Sequence, residues 1–438
     1  MSFIQLMLLL IISLLLFYDL YFYSSLIFFF SFMLLMNISF FVDWISMSLI
    51  FSLNYYSYGM VILSMWIMSL VYLMMKYNMK LNLCLKLMMF MLLILIMNFM
   101  TLNIMWFYIM FEFSLMLIFL LIYIWGLGEL RMMAGYYLMF YTLFFSLPLL
   151  LILLIMINRF KNSNFILSEM YFIKFNNFLF WFMILSFLVK LPMYMIHGWL
   201  LKAHVEAPVY GSMILAAIML KLGSYGMLRL FYIFYKNVMN LNIYIMIFSL
   251  IGINILSLMC LRQIDMKILV ALSSVVHMGL MLSSMMTLMK FSFLGAYLIM
   301  IAHGLCSSGM FYMLNLCYLV SNSRLMVLNK GLMIYMPSMS LMWFLMCSSN
   351  MAVPPSLNLV GEIFLLMSLI IYFKITIIKL FFYCLMSFMY SLYFFSYINH
   401  GNYNFMINKP IGKMLSLLML LFHLIPLNLF IMKLDILI

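Results

Sequence analysis

The chain has 438 residues, of which 70% are hydrophobic and 7% charged, with a mean hydropathy of +1.25. No soluble domain has this composition. At ~20 apolar residues per helical crossing, the length accommodates on the order of a dozen or more membrane helices and leaves no room for a sizeable domain outside the bilayer. Lys and Arg total 22 against 9 Asp and Glu, and the basic residues lie mostly in connections such as Lys76, Lys161, Lys236 and Lys374. The net charge of +13 therefore reads as orientation by positive loops and contact with anionic lipid, not as nucleic-acid binding.

In chain order, apolar segments fall near 3–17, 21–41, 57–76, 83–101, 103–125, 131–157, 178–200, 209–235, 241–261, 264–287, 291–320, 332–373, 375–397 and 414–434, which predicts fourteen spans. The first of these has neither a basic leader nor a small-residue cleavage site, so it is read as a span and not as a removable presequence. Two segments are predicted to be broken. Pro192 has no N–H to offer the Leu188 carbonyl, which should interrupt 178–200 just after Lys190. Ala352-Val353-Pro354-Pro355 should interrupt 332–373, and interrupted helices in corresponding halves point to a transporter with a site near mid-membrane.

The candidate functional residues are the ionisable groups inside these apolar runs. A charge at the centre of a span costs roughly 2.5–3.5 kcal/mol on insertion scales, so such residues tend to face a protein interior and to mark ion or proton paths. Glu112 is the lone charge of its segment, and Lys190 precedes the first break. They read either as an acid and a base meeting between helices or as a structural ion pair. Lys221 has Ala217 and Ser224 one turn to either side, with Gly223 and Gly226 nearby. This small-residue face admits another helix and places the lysine inside the bundle. His277, with Ser273, Ser274 and Ser284, and His303, with Cys306 and Ser307, each set an imidazole beside a stripe of hydroxyl or thiol groups that can order water. Either is a proton relay or a satisfied interior histidine. Glu362 follows the second break.

His197 and His204 are seven residues apart, but no third ligand is spaced to complete a metal site, and His204 with Glu206 is expected to shape the turn before Pro208. The six cysteines occur singly and without C-x-x-C spacing, so no iron–sulfur or zinc ligand set is expected. Gly126-Leu127-Gly128 lacks the further glycine of a dinucleotide fingerprint, and no phosphate-binding loop sequence occurs. No cofactor-binding residue is assigned on this chain.

Taken in order, VKLPMYMIHGWLLKAHVEAP, GSMILAAIMLKLGSYGMLRL, RQIDMKILVALSSVVHMG, MIAHGL and NLVGE resemble the antiporter-like, proton-pumping membrane subunits of mitochondrial NADH–ubiquinone oxidoreductase, respiratory complex I. The resemblance is strong over roughly residues 100 to 365. It implies an all-α polytopic membrane protein of about fourteen transmembrane helices, with two inverted-repeat five-helix bundles that each contain an interrupted helix. The implied organisation is N-terminal helices over 1–82, a first bundle over 83–235, a second over 241–397 and a C-terminal helix over 398–438. It also implies roles: Glu112 and Lys190 as an interacting pair, Lys221 as a central lysine, His277 and His303 as a connecting relay, and Glu362 as the terminal acid.

By the same resemblance, the chain is a subunit of an H+-translocating NADH:ubiquinone reductase, with NADH, FMN, iron–sulfur clusters and ubiquinone held by other subunits. Its expected partners are other membrane subunits of that complex, including neighbouring antiporter-like ones, and phospholipids such as cardiolipin. Its expected place is the mitochondrial inner membrane. The family commonly has Pro where this chain has Leu201, which touches no titrating residue. Two other readings stay open, a cation/proton antiporter subunit and a membrane scaffold without a proton path.

Overall fold

The computed structural model describes residues 20–36, 45–46, 51–75, 81–170, 177–234, 242–401, 414–432 and 434. Ten helices among them are long and apolar enough to cross a membrane, and three shorter apolar helices cover Tyr21–Leu35, Asn177–Lys190 and Leu357–Tyr372. Each corresponds to a segment predicted from hydropathy; the predicted span at 3–17 lies outside the described residues. The only strands described are the two-residue antiparallel pair Ile45–Ser46 and Ser52–Leu53. The all-α membrane architecture follows from the solvent: inside a bilayer every backbone N–H and C=O must be satisfied within its own segment, which a helix does.

The chain forms two compact units. The first comprises Met1–Phe187, Glu206–Ile214 and Tyr225–Asn237, and the second Leu188–Val205, Leu215–Ser224 and Val238–Ile438. In the first unit, α1 (Leu20–Met36), α2 (Tyr55–Met74), α3 (Leu81–Met100), α4 (Ile104–Trp125) and α5 (Arg131–Phe160) each pack on the next, and the short α6 (Phe165–Met170) follows. Asn54 caps α2: its side chain accepts from Ser57 N–H while the Ser57 hydroxyl accepts from Asn54 N–H. Tyr225 donates its phenol to the Phe99 carbonyl, and its ring packs against Phe99 and Phe107.

The chain continues through α7 (Asn177–Lys190), α8 (Gly198–Glu206) and α9 (Val209–Ile214). A π-helical turn (Leu215–Met219) then leads into α10 (Leu220–Phe234). The second unit is completed by α11 (Asn242–Leu261), α12 (Met266–Met285), α13 (Lys290–Ser321), α14 (Leu332–Tyr335), α15 (Pro337–Asn350), α16 (Leu357–Tyr372), α17 (Thr376–Asn399) and α18 (Met414–Met432). Its centre is α12 and α13, both buried along nearly their whole length, with α11, α15, α16 and α18 packed around them. Glycines set the closest crossing. A Cβ on Gly361 would meet the Ile299 N and Gly295 O at 3.2 and 3.4 Å, so only glycine lets α16 lie this near α13.

Both predicted breaks are present. α7 stops at Lys190 and the helix resumes at Gly198; α15 stops at Asn350 and the helix resumes at Leu357. The two are closed alike. At the first, Leu188 O accepts from Met193 N–H, five residues on, in place of the donor that Pro192 lacks, and Val189 O accepts the Trp199 indole N–H at 3.1 Å. At the second, Ser348 O accepts from Val353 N–H, again five residues on, and Ser349 O accepts the Asn358 amide at 2.8 Å. Each interruption thus frees carbonyls that a side chain from the resumed helix takes up, as a low-dielectric environment demands.

A buried lysine–histidine–glutamate chain in the second unit

Lys221 is fully buried, and its position follows from the π-helical turn that precedes it. A π-turn widens the helix by one residue and disturbs the regular i→i−4 ladder. The Lys221 ammonium folds back to donate to the Ala216 carbonyl at 2.6 Å, and Nζ lies 2.9 Å from His303 Nδ1. An ammonium carries donors only, so while Lys221 is charged, His303 accepts at Nδ1 and is neutral. The small-residue face works as the sequence suggested. A Cβ on Gly223 would meet the Lys190 Cβ at 3.1 Å and Leu191 N at 3.3 Å, so the end of α7 packs against α10 two residues from Lys221. Ser224 completes the turn, donating to the Lys221 carbonyl at 3.0 Å.

His303, on α13, lies with its ring centroid 5.6 Å from that of His277 on α12. His277 Nδ1 is 3.1 Å from Glu362 Oε1. Four of the six residues singled out in the sequence are therefore consecutive neighbours: Lys221, His303, His277 and Glu362. All are buried except Glu362, whose side chain is 12% exposed. The chain runs from a lysine to a glutamate through two imidazoles, each able to take a proton on one nitrogen and give it from the other.

Two tyrosines that the sequence reading passed over complete this site. Tyr383 and Tyr390, both buried on α17, approach His277 from opposite ring nitrogens, with Tyr383 Oη 3.3 Å from Nδ1 and Tyr390 Oη 3.3 Å from Nε2. Tyr383 also donates to Glu362 Oε1 at 3.3 Å. The signal that could have found them is spacing: Tyr383, Ser387, Tyr390 and Ser391 share one face of an otherwise apolar span. The serines around His277 donate to their own helix. Ser273, Ser274 and Ser284 donate to carbonyls three residues back in their own helix, as does Ser307 beside His303, so the hydrogen-bond partners of His277 come from α16 and α17. Cys306 turns toward the second break, with Sγ 3.3 Å from Ser349 Oγ.

The other two candidates are placed as follows. Lys190 is buried at the last residue of α7 in the second unit, and Glu112 is half-buried on α4 in the first. His204 is fully buried, with its ring stacked on Phe311 at 4.8 Å and 6° and neither nitrogen hydrogen-bonded. In the first unit, the Glu206 carbonyl accepts from Leu127 N–H, and its carboxylate lies against Gly128, where a Cβ would collide with it. That contact explains the Gly126-Leu127-Gly128 sequence structurally.

A family model described as NADH:quinone oxidoreductase/Mrp antiporter, TM, matches residues 101–389, a range that contains all six candidates. The chain belongs to that family. The NADH-ubiquinone oxidoreductase chain 4 of Apis mellifera ligustica is 49% identical over 395 residues, covering 90% of this chain and 88% of that one. The chain 4 protein of Ceratitis capitata is 43% identical, covering 91% and 93%. Among solved structures, a chain of respiratory complex I from Thermus thermophilus with bound NADH superposes with a TM-score of 0.86 at 18% identity, over 95% of this chain and 92% of its own. A chain of the Mrp complex from Dietzia sp. DQ12-45-1b superposes with a TM-score of 0.79 at 16% identity, over 93% of this chain and 47% of its own. These two structures share the fold of this family member.

Proposed function

We propose that this chain is a core membrane subunit of the respiratory-chain NADH:ubiquinone oxidoreductase and translocates protons through Lys221, His303, His277 and Glu362. The redox chemistry, from NADH to ubiquinone, runs in other subunits. The proposal extends to the mitochondrial inner membrane as its place, to neighbouring antiporter-like subunits as its partners, and to phospholipids such as cardiolipin at its surface. The observation that carries the reading is the series from a buried lysine to a partly buried glutamate, with Lys221 Nζ 2.9 Å from His303 Nδ1, the two imidazole centroids 5.6 Å apart and His277 Nδ1 3.1 Å from Glu362 Oε1, inside a family of proton-translocating membrane subunits.

The physical argument is one of charge balance. With Lys221 charged and Glu362 ionised, a proton passed along the two imidazoles leaves both ends neutral and removes a favourable buried pair of opposite charges. The transfer therefore needs a push. That push is assigned to Lys190, whose helix end packs on α10 at Gly223, two residues from Lys221. Glu112 is proposed as the carboxylate whose approach or withdrawal sets whether Lys190 is charged. Raising a proton against the membrane potential takes roughly 2.3 kcal/mol per 100 mV, a magnitude that a change in one buried charge neighbour can match.

The test is Lys221→Met in a tractable homologous complex, with proton uptake measured in sealed vesicles against NADH oxidation. Methionine keeps the length and removes the charge, so the complex assembles and pumping falls at least about tenfold, one decade of rate being roughly 1.4 kcal/mol. Undiminished coupled pumping would refute the assignment.

A further inference from the structure

With His277 neutral and Glu362 ionised, the contacts around the ring select which nitrogen carries its proton. The Tyr383 hydroxyl has one hydrogen, and it is directed to Glu362 Oε1 at 3.3 Å, so toward His277 that oxygen can only accept. His277 Nδ1 thus faces two acceptors, Glu362 Oε1 at 3.1 Å and Tyr383 Oη at 3.3 Å, and satisfies both only as Nδ1–H. Nε2 of the neutral ring is then bare and accepts from Tyr390 O–H at 3.3 Å. Tyr383 and Tyr390 are both fully enclosed on one face of α17 and lie seven residues apart, about two helical turns, which spans the imidazole from one nitrogen to the other.

We propose that Tyr383 and Tyr390 are positioning residues that hold His277 in the Nδ1–H tautomer, so that protons enter the ring at Nε2 and leave it at Nδ1 toward Glu362. The inference rests on the relay reading above and goes beyond it by giving the relay a direction. The step balances: a proton bonds to Nε2, the Nδ1–H bond breaks, and that proton bonds to a Glu362 oxygen. The ring is left neutral as Nε2–H. Tyr390 then turns its hydroxyl and accepts from Nε2–H, which a phenol does without ionising because its oxygen is both donor and acceptor. When Glu362 has released its proton, the ring resets by turning about its Cβ–Cγ bond, which carries the protonated nitrogen to the side of the two acceptors without breaking a bond to hydrogen and presents the bare nitrogen to Tyr390. Without Tyr390, Nε2 loses the donor that keeps it bare, and the balance between the tautomers rests on the Nδ1 side alone.

The experiment uses the assembled homologous complex carrying Tyr390→Phe, which keeps the ring and removes the hydroxyl, and Tyr390→Gln, which loses the ring and keeps a donor and an acceptor. Pumping is measured in vesicles, and the His277 tautomer is read from imidazole ring-stretching bands in infrared difference spectra of histidine-labelled complex. The expected result is a fall in pumping of about fivefold or more in Tyr390→Phe with mixed tautomer bands, and partial recovery in Tyr390→Gln. A packing role would give the reverse order. A single Nδ1–H signature in Tyr390→Phe, or pumping equal to the parent's, would overturn the proposal. If Tyr390→Phe does not assemble, Tyr383→Phe tests the same tautomer lock from the Nδ1 side, with mixed bands expected and unmixed bands fatal. Loss of pumping in Lys221→Met together with an unaffected Tyr390→Phe leaves the relay standing and removes only the tyrosines' role.

Discussion

The two helix interruptions of the second unit, 191–197 and 351–356, are closed by the same backbone device and differ in how each treats the charge beside it. At the first, the charge is the last helical residue. Lys190 sits at the C-terminus of α7, where the negative end of the helix dipole favours a cation by roughly 0.3–1 kcal/mol, more when partly buried. At the second, the charge arrives late. Glu362 is the sixth residue of α16, beyond the first turn where a helix N-terminus helps an anion, so its carboxylate is held by side chains, Tyr383 and His277. Lys190 closes its helix at the break itself, whereas the Glu362 carboxylate is tied to the protonation of a histidine and a tyrosine. The first break is thus suited to being switched, and the second to receiving.

That contrast can be broken from the first break downward in size of effect. Lys190→Met, apolar and of similar length, is expected to reduce pumping by more than about tenfold in an assembled complex, since the buried cation at the first break is then lost. Glu112→Gln keeps a hydrogen-bonding group and is expected to lower pumping less, by several-fold, when both are measured against NADH oxidation in vesicles. Equal losses in the two variants would deny Lys190 its separate role. The closures themselves predict smaller changes, in stability. Trp199→Phe removes the donor to Val189 O and should destabilise the subunit by about 1–3 kcal/mol, the penalty for a buried polar group left unmade. Asn358→Ala should lose about 1 kcal/mol or less, because Ser349 O keeps a second donor in Ala352 N–H. Thermal inactivation of the purified complex measures both, and a larger loss for Asn358→Ala would reverse the comparison.

Much of this was legible in the residues. Pro192 and the Pro354-Pro355 pair announce breaks because a missing N–H is a local fact, and Lys221, His277, His303 and Glu362 stand out because ionisable groups are rare at that depth. The structure brings those four together within the second unit, while hydropathy says nothing about which groups meet. The π-turn at Leu215–Met219 was not legible: LAAIM has ordinary helix formers, and the distortion is a property of packing. Tyr383 and Tyr390 were hidden by composition, since among 30 tyrosines and 44 phenylalanines an aromatic in a span carries little signal by itself. The serines beside the histidines donate to their own backbone, which leaves only their oxygen lone pairs to face a neighbour.

The central claim is that protons pass between Lys221 and Glu362 through His303, which lies 2.9 Å from the lysine and beside the second imidazole. The most direct measurement is the number of protons translocated per NADH oxidised in a homologous complex carrying His303→Leu, a change that fills the volume and leaves every formal charge of the chain in place. The account predicts an assembled complex with pumping reduced at least about tenfold relative to the parent. A parental proton-to-electron ratio at parental turnover would contradict it.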